Sequence, residues 1–443
     1  MTPQPTFLRY LRMAKESTWG TSPALIGNEF NAAGVNYSFI TTSPLGALKQ
    51  VQMKHRTQGA TGKRTKDQHA PFSGMERAEG QLDIPFVPTY GGLLLTAALG
   101  TDAPTDTEDA TMKTSTALST SPQTISSFTA QPTSGKYDYL KMAFALVDNA
   151  AFGAGANVVI TGTDANDAVI TETVTFGVQL TSTSFTVYSQ LSYKTVTSVV
   201  ITGVTLGTGS GTVVIDGIQY TTHVITCNDT PLSLAIEEFD DPSAGSGKSF
   251  VYNGMTMTGL SLAFSVLQED SILMLQPSFQ GKFPVATTQT ANALTPLRAW
   301  PSWTASLTKG GSAYARVQSA NVQITPGARL YRSAVNSRSP QGVIPLEREV
   351  RVSGQLYLDD ATEYDAWINN SVGNYVLTFT SPFKVGTATY QSLSLDFTES
   401  YFESLSAKED NGMVTCDFEM FMKENSTNNA IKATLTNCKN GAY

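Results

Sequence analysis

The side chains that most often carry chemistry are sparse in this sequence. It contains three histidines in 443 residues, and none lies near a serine or cysteine nucleophile motif, so general-base catalysis has few candidates. His55 and His69 flank one polar stretch, but they are 14 residues apart in a segment without cysteine, which is not the ligand spacing of a metal site. Carboxylate pairs such as Glu237-Glu238 are adjacent, and adjacent side chains of a strand point to opposite faces. We therefore predict no enzymatic activity, no metal and no cofactor.

One glycine-rich segment, Asp241–Ser249 (DPSAGSGKS), has some features of a phosphate-binding loop. That loop requires a glycine, four further residues, and then Gly-Lys-Ser or Gly-Lys-Thr at the start of a helix. Here Pro242 occupies the place of the first glycine, and the following Phe250–Phe264 has the composition of a strand. No helix N-terminus is then available for a phosphate group. We interpret the segment as a flexible turn.

Composition and charge narrow the class of protein. Apolar residues make up 41% of the chain and charged residues only 15%, and threonine, serine and glycine are abundant. This composition is typical of all-β proteins with many turns. The formal net charge is −8, which argues against a surface that holds nucleic acid tightly, because phosphate binding needs basic side chains.

Targeting segments and disulfides are also not indicated. The sequence has no apolar stretch of about 18 residues that would predict a transmembrane helix. Its first residues include Arg9, Arg12 and Lys15 and lack the apolar run of a signal peptide. The cysteines are odd in number and widely spaced, at Cys227, Cys416 and Cys438. We therefore expect free thiols and assembly in a reducing cytoplasm, with no membrane association.

An internal repeat organises the chain. Gly-Gln-Leu occurs at 80–82 and again at 354–356, and each is followed by a tyrosine, Tyr90 or Tyr364, at the same offset of 274 residues. Each unit predicts a strand that ends near Gly-Gln-Leu, then a short helix. Such self-similarity indicates a duplicated structural unit.

A second similarity, between residues 262–282 and 402–422, has an offset of only 140. The first unit therefore holds about 134 residues that the second lacks. We predict three domains, which are a discontinuous first domain (1–112 and 218–288), an insert (113–217) and a second domain (289–443).

The insert and the end of the chain differ in character from the repeated units. Thr101–Lys136 is polar and rich in Thr, Ser and Pro, and short predicted strands separated by Gly, Asn and Asp turns follow from Leu140 to Gly217. Short strands at such spacing are typical of a β-sandwich. The second unit is predicted to end near Asn425, which leaves a polar tail.

Two long polar loops occupy corresponding positions, each before a Gly-Gln-Leu strand. Arg56–Ser73 and Thr325–Pro345 concentrate basic residues in an acidic chain. Long loops in compact domains are often functional, although a solvated hairpin tip is the simpler interpretation. The candidate contact residues are Lys63, Arg64, Lys66, Arg329, Arg332 and Arg338.

With these elements in place, the chain resembles the major tail tube proteins of long-tailed, siphovirus-like bacteriophages. The residues that carry the resemblance are spread along the chain, at Lys15–Pro23 (KESTWGTSP), Glu76–Gly100 (ERAEGQLDIPFVPTYGGLLLTAALG), Leu232–Phe239 (LSLAIEEF) and Phe250–Phe264 (FVYNGMTMTGLSLAF). The resemblance implies a mainly β fold with two tandem tail-tube domains, each a β-sandwich or partial barrel with a short helix and a long loop. The insert is similar to immunoglobulin-like decoration modules of phage structural proteins.

The resemblance also implies a function. The chain would polymerise into stacked rings that form the tail tube, through which DNA passes transiently during ejection. Its partners would be itself, the tape measure protein, the tail terminator and the distal tail protein, and its place the virion tail, assembled in the host bacterial cytoplasm. The long loops would join successive rings, and an acidic lumen would let DNA slide, with candidate residues Glu79, Asp83, Glu237, Glu403 and Asp417.

Two units per chain predict a homotrimeric, pseudo-hexameric ring if six units close the barrel, while a ring of six chains is the alternative. Two other functions remain open from the sequence. A capsid decoration or baseplate protein would share the β composition, but it would not need two basic loops in corresponding positions. A carbohydrate-binding tail adhesin would be expected to cluster exposed aromatic residues in the insert, where the tyrosines are scattered instead.

Overall fold

The computed structural model describes most of the chain and defines its elements. The described residues are 9–21, 36–39, 47–55, 58–59, 67–68, 72–134, 137–148, 150–164, 166–175, 184–189, 191–240, 248–267, 271–287, 299–333, 337–358, 360–385, 389–410, 413–424, 429–437 and 442–443. Over these ranges the protein is mainly β, as the composition predicted, with two α-helices.

The first unit is formed by two segments of the chain that flank the insert. The first segment contains β1 (Arg9–Lys15), β2 (Asn36–Phe39), β3 (Leu48–His55), β4 (Gln58–Gly59), β5 (Asp67–Gln68), β6 (Phe72–Gln81), β7 (Ile84–Pro85) and α1 (Pro88–Leu99). The insert and its stem follow, with β8 (Gly100–Ala117), β9 (Gln123–Ile125), β10 (Tyr139–Val147), β11 (Ala151–Thr163), β12 (Val169–Thr175), β13 (Ser184–Tyr188), β14 (Thr195–Thr205) and β15 (Ser210–Cys227). The second segment of the first unit contains β16 (Ser233–Asp240), β17 (Lys248–Ser265), β18 (Met274–Gly281) and β19 (Val285–Thr287).

The second unit is continuous and begins with a 3-10 turn at Ser302–Thr304. Its elements are β20 (Ala305–Lys309), β21 (Ser312–Ala313), β22 (Val317–Thr325), β23 (Ala328–Tyr331), β24 (Gly342–Pro345), β25 (Glu349–Tyr357), α2 (Thr362–Ile368), β26 (Gly373–Val385), β27 (Thr389–Asp410), β28 (Met413–Met422) and β29 (Lys432–Asn437).

Eight strands from both units form one antiparallel sheet. Their spatial order is β3-β6-β18-β17-β22-β25-β28-β27. The first four belong to the first unit and the last four to the second, and both sets of four follow the same topology. The repeat seen in the sequence is therefore also a repeat of strand order, with β17 of the first unit paired to β22 of the second.

The repeated Gly-Gln-Leu has a backbone explanation. Gly80 on β6 and Gly354 on β25 occupy equivalent places, and neither has room for a side chain. A Cβ at Gly80 would collide with the carbonyl oxygen of Ala47, and a Cβ at Gly354 with that of Ser319. Glycine is the residue that permits such a close approach of two strands.

A second layer of strands covers one face of the eight-stranded sheet. The long strands β17 and β27 belong to both layers, because their first halves pair with β16 and β26 and their second halves lie in the eight-stranded sheet. The buried side chains between the layers form one continuous apolar core through both units. Each unit is thus a two-layer sandwich that buries one face of each sheet.

The insert has a second, separate core. It lies between the sheet β9-β14-β11-β12 and the sheet β8-β15-β10-β13. Phe144 and Phe152 pack edge to face with ring centroids 5.1 Å apart, and Phe185 stacks on Phe144 at 4.9 Å. The ladder between β8 and β15 links this core to the units and continues across the predicted boundaries at 112/113 and 217/218, with several register shifts between Val213 and Tyr220.

The structure corrects three expectations about local structure. The polar stretch after Gly100 begins as β8, which is held by its long ladder to β15. The predicted polar tail contains β29, which pairs with both β15 and β27. The second long loop contains the hairpin β23–β24, and short strands β4 and β5 pair within the first.

Candidate assembly interface

The junction between the two units shows how one unit binds the next. β17 and β22 pair in antiparallel register, with Leu260 opposite Ile324 and Leu262 opposite Val322. These four side chains are buried in the common core. On the other face of the sheet Ser261 donates a hydrogen bond to Asn321. The junction therefore combines main-chain pairing with apolar burial, as within a single domain.

The two strands at the ends of the eight-stranded sheet are the counterparts of this junction. β3 holds in the first unit the place that β22 holds in the second, and β27 corresponds to β17. Among the described residues, β3 pairs only with β6, and β27 from Tyr401 onwards pairs only with β28. Ser406–Glu409 on β27 are accordingly exposed, whereas Leu260 and Leu262 on β17 are buried. Within the described part of the chain, each sheet end thus carries backbone groups without a strand partner, which a partner strand can satisfy.

The face of the eight-stranded sheet that points away from the core is polar, and we call it the polar face. Serine, asparagine and glutamine alternate along its strands with the buried apolar residues, and cross-strand pairs include Ser261–Gln323, Asn321–Ser353 and Gln355–Asp417. A sheet with one buried and one polar face predicts that the polar face meets water.

Three of the acidic residues predicted for a lumen lie on this polar face or at its edge. Each is paired with a basic side chain, Glu79 with Arg77 at 2.9 Å, Asp417 with Lys408 at 2.8 Å, and Glu403 with Arg351. Asp83 accepts a hydrogen bond from the amide of Gln276 at 2.8 Å.

Arg351 is the centre of the largest charge cluster on the polar face. Its guanidinium contacts the carboxylates of Glu349, Glu403 and Glu419. The hydrogen bonds to Glu349 and Glu419 raise the pKa of Arg351, so it stays charged. The side chains are at least one-third exposed, so water screens much of their attraction.

Glu237, the remaining acidic candidate, does not lie on a free surface. It is fully buried in the second layer, where its carboxylate is 3.9 Å from the guanidinium of Arg12 and accepts a hydrogen bond from Ser249. Arg12 and Glu237 are direct cross-strand neighbours in the pairing of β1 with β16. Burial with a basic partner removes Glu237 from the candidates for a channel wall.

The basic residues of the second long loop divide into two groups. Arg329 is exposed on β23. Arg332 and Arg338 contact the first unit of the same chain, where Arg332 donates to the carbonyl oxygen of Glu76 at 2.9 Å and Arg338 pairs with the Glu76 carboxylate at 2.9 Å. Lys63, Arg64 and Lys66 of the first loop lie outside the described residues.

Glu76 and the apolar side of the hairpin were not singled out from the sequence. Ser339 also donates a hydrogen bond to the Glu76 carboxylate at 2.9 Å, so this one residue anchors the hairpin to β6. The hairpin exposes Tyr331, Ile344 and the adjacent Leu346. Bulky apolar residues in a basic loop are the sequence signal that could have identified a contact surface.

The described part of the chain contains no group of three or more His, Cys, Asp or Glu side chains that could hold a metal ion. His223 is buried and accounted for structurally, with Nδ1 2.9 Å from Asp102 and its ring against Tyr443. Burial raises the pKa of the Cys227 and Cys416 thiols, which favours their protonated form. Neither described helix is long and apolar enough to cross a membrane.

Comparison with known proteins identifies the family of the chain. A family model described as phage tail tube protein matches residues 6–436, which include both units and the insert. No curated protein matches the sequence. Since the family match spans nearly the whole chain, the protein belongs to the phage tail tube protein family.

Proposed function

We propose that the chain closes into rings by pairing β27 of one copy with β3 of the next, and that stacked rings form the tail tube of a long-tailed, siphovirus-like phage. One observation carries this proposal. The β17–β22 junction inside the chain has two halves, and the counterpart of each half is a strand at an end of the same sheet whose outer edge has no partner among the described residues. A head-to-tail contact that repeats the internal junction removes both edges when the ring closes.

The internal junction also gives a register for the contact between chains. Ala407 is the counterpart of Leu260, because both lie opposite equivalent positions of β28 and β18. Gln52 is the counterpart of Ile324, because both lie opposite equivalent positions of β6 and β25. Since Leu260 pairs with Ile324, Ala407 of one copy falls opposite Gln52 of the next.

The geometry favours a ring of three chains. Because the two units lie side by side in one sheet, each chain supplies eight strands to the same barrel. Three chains give about 24 strands, and at a spacing of roughly 4.8 Å the barrel is at least about 37 Å across between backbones. That leaves a channel for duplex DNA after side chains are added. A ring of six chains with one unit stacked above the other would require the units to lie in different layers, which the shared sheet disfavours.

The polar face would then line the channel. Its serine, asparagine and glutamine side chains, together with acidic residues that are paired with basic ones, offer DNA few uncompensated positive charges. DNA can therefore pass along the wall during ejection without being held. The exposed face of the hairpin β23–β24, with Arg329, would contact the next ring, and the end rings would meet the tape measure, terminator and distal tail proteins.

The insert fits an external module of immunoglobulin type. Its core is separate from that of the two units, and its stem strand β15 joins the second layer through β29, on the side opposite the polar face. A module attached there would project away from the channel. The proposed domain boundaries remain those predicted from the repeat.

A disulfide test addresses the ring contact directly. We expect Ala407→Cys together with Gln52→Cys to form disulfides between chains under mild oxidation, giving covalent oligomers that end at the trimer. The control combines Ala407→Cys with Gln50→Cys, two residues out of register and roughly 7 Å from the directly opposite position. Tubes in negative-stain images without this cross-link, or with equal cross-linking of the control, would overturn the proposed pairing. Single particles with no tubes would favour a decoration or adhesin function.

A further inference from the structure

The two helices occupy equivalent positions but differ in how well they are covered. α1 begins at Pro88 and α2 at Thr362, which preserves the 274-residue offset of the repeat. Leu94 and Ala98 on α1 are 0% and 2% exposed. Their counterparts, Ile368 at the end of α2 and Val372 just after it, are each 55% exposed. The second unit therefore presents an apolar surface where the first unit has core.

α1 is covered by the second unit and the stem strands as well as by a strand of its own unit. α1 packs on β17 of the first unit, on β29 of the second unit, and on the stem strands β8 and β15. Ile431, Ala433 and Leu435, in and next to β29, are fully buried in the same core as Leu94. α2 packs on β27, which is the counterpart of β17. The contact that corresponds to β29 is absent from the described neighbours of α2.

The counterpart of β29 exists elsewhere in the chain. β19 follows β18 as β29 follows β28, and it pairs with the first half of β17 as β29 pairs with the first half of β27. Val285 on β19 is 61% exposed. The chain thus exposes an apolar surface at α2 and an apolar side chain on β19, and these two elements correspond to the two sides of the buried contact between α1 and β29.

We propose that these two surfaces dock on each other between copies of the chain, with Tyr364, Ile368 and Val372 of one copy against Val285 on β19 of the next. This inference rests on the proposed ring and adds a second contact, in the outer layer, to the strand pairing. The occupant is a second copy because the internal α1–β29 contact already shows the arrangement. The repeat that places β3 beside β27 also places β19 beside α2.

The proposed contact between α2 and β19 is smaller than the α1–β29 contact inside the chain. α1 has 12 residues and is also covered by the stem, whereas α2 has seven and the chain has only one stem. The contact is therefore confined to the exposed face of α2, which includes the tilted pair Tyr364 and Trp367 with ring centroids 5.7 Å apart. Aromatic and branched aliphatic side chains of this kind supply much of the binding energy of interfaces.

Substitution of Ile368 tests the contribution of this surface to assembly. We expect Ile368→Glu in the full chain to raise the concentration needed for ring formation at least about tenfold, because a carboxylate would be buried against apolar atoms. Val169→Glu is the matched control, since Val169 is 75% exposed on the insert and far from the proposed contact. Thermal unfolding of both unassembled variants checks that they fold. A folded Ile368→Glu chain that assembles like the control overturns the inference.

Cross-linking separates this inference from the proposed ring. Ile368→Cys with Val285→Cys, treated with a short bismaleimide in assembled tubes, should link neighbouring chains, while either single variant should not. If Ala407→Cys and Gln52→Cys form the strand disulfide but this outer pair does not link, the ring stands and the outer docking is wrong. If tubes form and neither pair links, the proposed strand pairing is overturned, and the docking with it.

Discussion

The first and second units share one sheet and differ in what covers it. In both, four strands follow the same order, and a glycine permits the same close approach of neighbouring strands. The elements that pack around the sheet differ between the two units. α1 is enclosed by the second unit and the stem, while α2 is left open. The comparison teaches that strand pairing is the property that repeats. The layer around the sheet distinguishes the junction inside the chain from the proposed junction between chains.

The units also bury charge in different ways. The first unit buries the Arg12–Glu237 pair in its second layer, with both side chains almost inaccessible. The second unit buries Glu363 at the start of α2, where it meets Arg316 at 2.8 Å, Tyr314 at 2.8 Å and Lys309 at 3.7 Å. Arg316 is 24% exposed, so water reaches one partner of this carboxylate.

The largest expected effect comes from removing the basic partner in the first unit. Arg12→Met should lower the free energy of unfolding of the unassembled chain by about 3–5 kcal/mol, because Glu237 would lose its positive neighbour in a buried site. Arg316→Met should cost about 1–2 kcal/mol, since Glu363 keeps Tyr314 and Lys309. Urea unfolding measures both, with Arg329→Met on the exposed hairpin as control. Equal losses for Arg12 and Arg316 would show that burial does not separate the two units.

Substitution of the repeated glycines should lower the free energy of unfolding by similar amounts in both units. Gly80→Ala and Gly354→Ala each place a methyl group against a neighbouring carbonyl oxygen, and we expect a loss of about 1–3 kcal/mol in unfolding free energy from the strand displacement. Gly259→Ala on β17 is the control within the same sheet, because the nearest atom to its added Cβ is 3.9 Å away. A loss at Gly80 without one at Gly354 would contradict the equivalence of the two strands.

The sequence predicted the elements whose signal is local. The repeated Gly-Gln-Leu and the tyrosine that follows it allowed equivalent strands and helices to be predicted in both units. The motif repeats because the same backbone geometry requires the same residues. β8 and β29 were missed, since their polar sequences have little strand preference and are held by partners far away in the chain, Thr101 opposite Thr226 and Thr434 opposite Val224. Glu237 was misplaced for the same reason, because its partner Arg12 is distant in sequence and adjacent only in the sheet.

A smaller effect on the single chain is expected from the basic loops. Reversing Arg64 and Arg329 together should change unfolding free energy by at most about 1 kcal/mol, because the Arg329 side chain is exposed on β23. The stacking of the proposed rings should be affected more than the stability of the single chain, because each ring would repeat the loop contact several times. We expect single rings in place of tubes by negative stain. Arg64→Gln with Arg329→Gln separates loss of charge from repulsion. Normal tubes at low salt from the reversed chain would exclude these loops from the ring-to-ring contact.

The smallest effect on assembly should follow removal of the insert, provided that the stem is kept. Ala117 pairs with Thr212 at the outer end of the β8–β15 ladder, so a short Gly/Ser turn can join them. This deletion removes the second core except for Met112, Val213 and Ile215 on the stem. The shortened chain should form tubes of normal diameter that lack external projections.

A deletion at the predicted boundaries, from Lys113 to Gly217, instead removes the outer part of the ladder that pairs β8 with β15. This variant should be less stable to heat. β15 also pairs with β29, which packs on α1. Disruption of the stem should therefore also weaken the contact between α1 of the first unit and β29 of the second. A soluble, folded product of the first deletion that forms no tubes would place the insert within the assembly interface.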